Sequence, residues 1–120
     1  MSDSSQAFVR RLVTDFPGLR PLYDEHIADN DELLDHMFFY VVTQWVVEGF
    51  QAGRDQEWLR LLDYLDAGLR EGDADVQELI GVSFVENLPL PNEPGADIAG
   101  HLPTELRAEL GRQRPFQIPR

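Results

Sequence analysis

The sequence predicts an all-α protein: a compact bundle of about five helices packed around one central apolar helix, with a Pro/Gly-rich C-terminal tail. Three observations predict it. Apolar residues recur at three-and-four spacing in several segments, as one face of a helix requires. Between residues 37 and 47, nine of eleven residues are apolar or aromatic, and no breaker interrupts the longer stretch around them. Most Pro and Gly residues near the C-terminal end fall after Leu88, so the material changes there.

In the first segment Phe8, Val9, Leu12, Val13 and Phe16 share one helical face, and Pro17-Gly18 stops the run. This predicts a helix near 5–16. Pro21 suits a first helical turn, where its missing N–H costs nothing, and Leu22, Tyr23 and Ile27 give a short second helix an apolar edge. The stretch 32–49 is too long for an ordinary strand, and Asn30 or Asp31 supplies an N-cap. Apolar side chains surround most of its circumference, which predicts a helix enclosed on all sides. Trp58, Leu61, Leu62, Leu65 and Leu69 define a fourth helix entered at Asp55 and left at Gly72, with Arg60, Asp63, Asp66 and Arg70 opposite. Asp75 and Glu78 have capping-box spacing for a fifth helix that carries Val76, Leu79, Ile80, Ser83, Phe84 and Leu88 and ends at Pro89. The short link Glu71-Gly72-Asp73 folds these two helices into an antiparallel hairpin.

The predicted organisation is a bundle domain over 1–90 and a tail over 91–120 that packs back on it. The tail contains a short helix begun at Pro103-Thr104, with Leu102, Leu106 and Leu110 aligned and Gly111 as its cap, followed by an extended run through Phe116 and Ile118.

Charge narrows the function. The chain of 120 residues has a formal net charge of -12, and all of its ten basic residues are Arg. Such a surface repels phosphate, so direct nucleic-acid binding is not expected. A basic protein partner is expected instead, because clustered carboxylates steer cationic surfaces into contact. The contact residues expected are Asp24, Glu25, Asp29, Asp31, Glu32 and Asp35 in one acidic stretch, with Asp63, Asp66, Asp73 and Asp75 in another. Cysteine is absent, so disulfides, thiol nucleophiles and thiolate-bound zinc are excluded. No run has the length of a membrane span, and the start lacks the pattern of a secretory signal, which makes a cytoplasmic protein the expectation.

Motifs for catalysis are weak. Ser83 lies in Gly81-Val82-Ser83-Phe84-Val85, which lacks the second glycine of a nucleophile elbow, so its expected role is a small helix-face residue. Glu86 and Asn87 suit hydrogen bonds to a helix end or loop. His26 and His36 sit among acids, and Glu32 and His36 have the spacing of two metal ligands, with Asp29 or Asp35 to assist. Abundant acids make this pattern easy to obtain without a metal, and neither metal nor cofactor is expected. Asp29-Asn30-Asp31 does not continue as a calcium loop.

The run from Glu71 to Leu88 resembles the signature of a family of small uncharacterised bacterial helical proteins that carry Ser-Phe-x-Glu-Asn-Leu. Asp29-Asn30-Asp31-Glu32-Leu33-Leu34 and the aromatic helix after it are similar to the same family. The resemblance covers roughly residues 20–90, leaves out the Pro-rich tail, and implies a helical domain of no assigned activity. The first functional expectation is thus a non-enzymatic, acidic protein-binding module, of the kind that masks a basic toxin as an immunity protein does. The second is a homodimer or scaffold acting through Trp58, Phe39 or Phe50. The third is a metal-dependent or small-molecule enzyme using His26 and His36.

Overall fold

A computed structural model describes residues 3–53 and 56–115. These residues form six α-helices and no strand: α1 (Asp3–Asp15), α2 (Arg20–Asn30), α3 (Asp35–Ala52), α4 (Glu57–Glu71), α5 (Ala74–Ile80) and α6 (Thr104–Gln113). A short 3-10 turn, Pro17–Leu19, joins α1 to α2. The segment Gly81–Val85 continues α5 with π winding, and Ala96–His101 is a 3-10 segment leading to α6.

The predicted face of α1 is the buried one: Phe8, Val9, Leu12, Val13 and Phe16 all lie in the core. Helix α1 runs antiparallel to α4. Phe8 meets Tyr64 and the Gly68 position, while Phe16 meets Tyr64 edge-on with ring centroids 5.6 Å apart. Helices α4 and α5 are likewise antiparallel, since Gly72 lies against Val76, Leu69 accepts from Gln77 and Gly68 lies against Ile80. A Cβ on Gly68 would stand 2.7 Å from Ile80 Cδ1 and 2.9 Å from Phe8 Cζ, so three helices approach closely only because this position has no side chain.

Helix α3 is long and apolar as expected, but it is not enclosed. Phe38, Phe39, Val42, Thr43 and Val46 face the core, whereas Met37 and Tyr40 are 54% and 50% exposed. Trp45 is half-buried. The remaining elements cover one side of α3 and leave a solvent edge, so the apolar run exceeds what the fold buries.

Several boundaries differ from the sequence expectation. Asp31 is not the N-cap of α3; it ends α2 in left-handed backbone at φ 61°, its N–H bonded to Ile27 O. Aspartate tolerates that conformation better than most side chains, which is why the same residue type suits either role. Helix α5 is capped by Asp73 and not by Asp75, the Asp73 carboxylate accepting the Val76 N–H at 3.0 Å. Gly111 lies within α6, which continues to Gln113 because the Gln113 amide is held by Gly81 O and the Glu109 carboxylate, both at 2.9 Å. Asp55, Phe116 and Ile118 lie outside the described residues.

The segment after Leu88 joins the bundle. Ile98, Ala99, Leu102, Leu106 and Leu110 belong to the same buried cluster as the side chains of α1, α3 and α4. Gly95, at φ 87°, lets this segment pass against α3, where a Cβ would stand 2.6 Å from Val47 Cγ1. Among the described residues no helix is long and apolar enough to cross a membrane.

Candidate functional site

Helix α2 is weakly amphipathic and rests on the core through Leu22, Tyr23 and Ile27, each half-buried. Tyr23 packs edge-on against Phe38 with centroids 5.5 Å apart. Its other face is acidic. Asp24, Glu25 and Asp29 are exposed on the helix, and Asp31 and Glu32 are exposed in the turn after it. Only Asp24 of these five has an ion-pair partner among the described residues, the i−4 Arg20 at 3.2 Å.

The turn carrying these acids is held in place. His26 is buried, its ring stacked at a tilt near Phe38, and its Nε2 accepts the Leu34 N–H at 3.0 Å. Asn30 Nδ2 donates to His26 O at 2.9 Å, Leu33 is buried, and Gln6 Nε2 donates to Leu33 O at 3.3 Å. The carboxylates thus project from a fixed backbone.

Their position is electrostatically unfavourable. The C-terminal end of a helix carries a partial negative charge that cations stabilise, yet the last turn of α2 contains no basic residue. Asp29, Asp31 and Glu32 add full negative charges at that end. Like charges kept at that end cost stability.

The other carboxylates named from sequence are placed differently. Asp35 is buried; it accepts the Ser5 hydroxyl at 2.5 Å and the His36 N–H at 2.8 Å, and so joins α1 to the start of α3. Asp66 is also buried, and Oδ1 accepts the N–H groups of Glu105 and Leu106 at 2.7 and 3.0 Å. Asp73 is occupied as the cap of α5. Asp63 and Asp75 are exposed, on α4 and α5 and apart from α2 in the chain. Five of the ten carboxylates therefore lie exposed along α2 and the turn after it, whereas Asp35 and Asp66 are buried in internal bonds that join segments distant in sequence.

The histidines are not brought together as ligands. His26 is used by Leu34, while the His36 Nδ1 contacts the Ser83 hydroxyl of the π segment. Helix α3 starts only at Asp35, so Glu32 and His36 are not one helical turn apart. Among the described residues no group of three or more His, Asp or Glu is arranged to hold a metal.

Ser83 is buried in the π segment, where Glu86 N–H reaches back five residues to Gly81 O at 3.2 Å. Its carbonyl accepts the Asn87 amide at 2.9 Å, and the Thr43 hydroxyl lies 3.3 Å away. Arg114 donates to Glu86 O, Leu88 O and Pro89 O at 2.5, 2.8 and 3.2 Å. The expectation missed this Arg114 clamp, which no spacing in the sequence signals.

Three side chains have shifted proton affinities. Tyr64 is raised from its ordinary 10.0, first by burial and then by the neighbouring Asp15. Asp73 lies below its usual value, first through the Val76 N–H and then through the Ser4 hydroxyl. Glu109 is lowered by hydrogen bonds from Arg112 and Gln113.

Several clefts open between the helices of the described residues, and two of them have aromatic side chains and glycines in their walls. One of about 430 Å3 lies between α1 and the α4–α5 hairpin, with Arg11, Tyr64, Gly68, Glu71 and Asp73 in its wall. The other, of about 380 Å3, is walled by Pro17, Gly18, Trp45, Gly49, Trp58 and the Glu57–Arg60 pair. Sequence reading assigned Trp58 to the core or to a dimer contact and did not connect it with Trp45. The glycine four residues after Trp45 was the available signal.

An all-α domain with an acidic helix end is the class these observations define. The chain belongs to a family described as domain of unknown function DUF7674, whose model matches residues 9–116. The match takes in α6 and the segment before it, well beyond the 20–90 stretch over which the sequence resemblance extends. No curated protein and no solved structure matches the chain.

Proposed function

We propose that the protein is a binding module for a basic protein, an immunity-type inhibitor in character, and that its contact surface is the carboxylate end of α2. The observation that carries this reading is the accumulation of Asp29, Asp31 and Glu32 at a helix C-terminus with no cation in its last turn, on a turn fixed by the His26–Leu34 bond. The charge of -12 supplies long-range attraction, and the fixed turn limits the ordering cost of docking. Asp24 and Glu25 extend the surface along α2.

Affinity capture from the native cell at low and high salt tests the reading. A basic partner retained at low salt, released at high salt and lost by an Asp29→Asn/Glu32→Gln double variant is the expected result. A partner held equally by the double variant removes α2 from the interface.

Met37 and Tyr40 support a second reading. They are exposed one turn apart on α3, as an apolar contact with a second copy would use. Mass in solution decides it: a monomer for both the native protein and a Met37→Asp/Tyr40→Asp variant rules out this dimer.

A further inference from the structure

Of the three histidines in the chain, His26 alone is buried, and both nitrogens of its ring face N–H groups. Nε2 meets the Leu34 backbone N–H at 3.0 Å, a group that can only donate. Nδ1 lies 3.4 Å from Asn30 Nδ2. The same Nδ2 is 2.9 Å from His26 O, and a carbonyl can only accept, so the amide turns its nitrogen and not its oxygen toward the ring. Phe38 covers the ring, with centroids 5.5 Å apart.

A neutral imidazole carries one proton, and here the partners assign it to Nδ1, because a proton on Nε2 would point at the Leu34 N–H. The charged ring has no such choice. Its second proton would set two N–H groups head to head at 3.0 Å inside the turn. The charged and titratable groups around it offer no acceptor bond among the described residues. On α2, Glu25 and Asp29 are exposed, and Tyr23 packs on the same Phe38 ring. Asp31 and Glu32 are exposed in the turn. At the start of α3, Asp35 accepts from Ser5 and from the His36 N–H, and on the α1 side Gln6, bonded by exposed Arg10, reaches Leu33 O.

We propose that His26 is a pH-sensitive latch: its ring holds the α2–α3 turn closed only while Nε2 is unprotonated, and protonation releases the turn that carries Asp31 and Glu32. Histidine is the side chain whose ordinary titration falls in the physiological range, so the latch responds to mild acid. On release the imidazolium reaches water and the Leu34 N–H loses its acceptor. The open turn then binds one proton more than the closed one, so the equilibrium moves toward opening as pH falls. The device depends on the turn alone and stands whether or not the neighbouring carboxylates meet a partner.

Backbone hydrogen exchange of the full-length protein tests the latch at the Leu34 amide between about pH 7.5 and 5, a window above the ordinary carboxylate range. After correction for the intrinsic pH dependence of exchange, protection at Leu34 is expected to be level at the upper end and to fall about tenfold over the last pH unit, as one linked proton requires. Leu34 is expected to be less protected than Leu12 in the middle of α1, because the turn opens without unfolding the bundle. His26→Gln places an oxygen where Nε2 stands, accepts the Leu34 N–H at every pH, and is expected to abolish the fall. His36→Gln changes the nearest other histidine in the chain and is expected to leave it in place. Nitrogen chemical shifts of the His26 ring in the native protein are expected to show Nε2 unprotonated at neutral pH, with ring and Leu34 amide changing over one shared midpoint. A level Leu34 profile, a fall that survives His26→Gln or vanishes in His36→Gln, equal protection of Leu34 and Leu12, or a proton on Nε2 at neutral pH would each overturn the proposal. The ring measurement on the native protein decides it even where His26→Gln fails to fold.

Discussion

Asp66 caps the helix that begins near Glu105: its Oδ1 lies 2.7 Å from the Glu105 nitrogen, across 39 residues of chain, and 3.0 Å from that of Leu106. Helix α6 has no side-chain cap of its own, because Pro103 occupies the N-cap position. A carboxylate on α4 does the work from outside, meeting two free N–H groups and the positive end of the helix together.

Asp66→Ala is therefore expected to lower stability by about 1–2 kcal/mol, the upper range of a lost cap, measured by denaturant unfolding. Asp66→Asn keeps an acceptor and is expected to lose less. Hydrogen exchange in α6 should rise more than exchange in α1.

Asp31→Gly relieves left-handed backbone and removes a charge from the wrong end of α2. The combined gain is about 1 kcal/mol, read as a higher melting temperature. Under the proposed function, retention of a basic partner is expected to fall in the same variant, because a stabilising change that weakens binding is the mark of a charge kept for contact.

Gly68→Ala gains helix propensity but places a methyl 2.7 Å from Ile80 Cδ1. Overpacking of this kind costs about 1–3 kcal/mol, so net destabilisation is expected in thermal melts. Ile80→Val removes the Cδ1 atom, and the double variant should recover part of the loss, a coupling that a double-mutant cycle measures.

Acid and alkali act through different residues. Asp73 and Glu109 have folded values below their ordinary 3.8 and 4.5, so the native state binds fewer protons there than the unfolded chain. Their contribution is complete above those values and is lost as pH falls through the lower folded ones. Tyr64, raised above 10.0, contributes below that pH and loses its contribution as pH rises through the folded value. Unfolding midpoints across pH should show both limbs, with Asp73→Asn and Glu109→Gln flattening the acid one and Tyr64→Phe the alkaline one.

Local periodicity made much of the fold legible. The α1 face of Phe8, Val9, Leu12, Val13 and Phe16 is buried as its spacing demands, and the same is true of Leu61, Leu62 and Leu65. Three-and-four spacing reports which face is apolar. It does not report whether enough neighbours exist to cover it, and the exposure of Met37 and Tyr40 on α3 follows from that gap. Caps were less legible, because Asp31 can begin one helix or end another, and of two aspartates two residues apart Asp73 caps α5 while Asp75 lies in its first turn. The α2 acids were found as a run in the sequence. Asp35 and Asp66 were grouped with the surface acids because their partners, Ser5 and the α6 amides, lie 30 or more residues away. The tryptophan cleft escaped for a similar reason: its walls come from three separate segments.

The wide winding at Gly81–Val85 sets the rotational phase of everything that follows it. Removing one residue there would turn the chain by about a quarter of a revolution. The carbonyls of Glu86, Leu88 and Pro89 would then face away from Arg114, and the Ser83 hydroxyl would leave His36. One surplus residue in a helix thus decides whether the C-terminal helix is fastened at its far end.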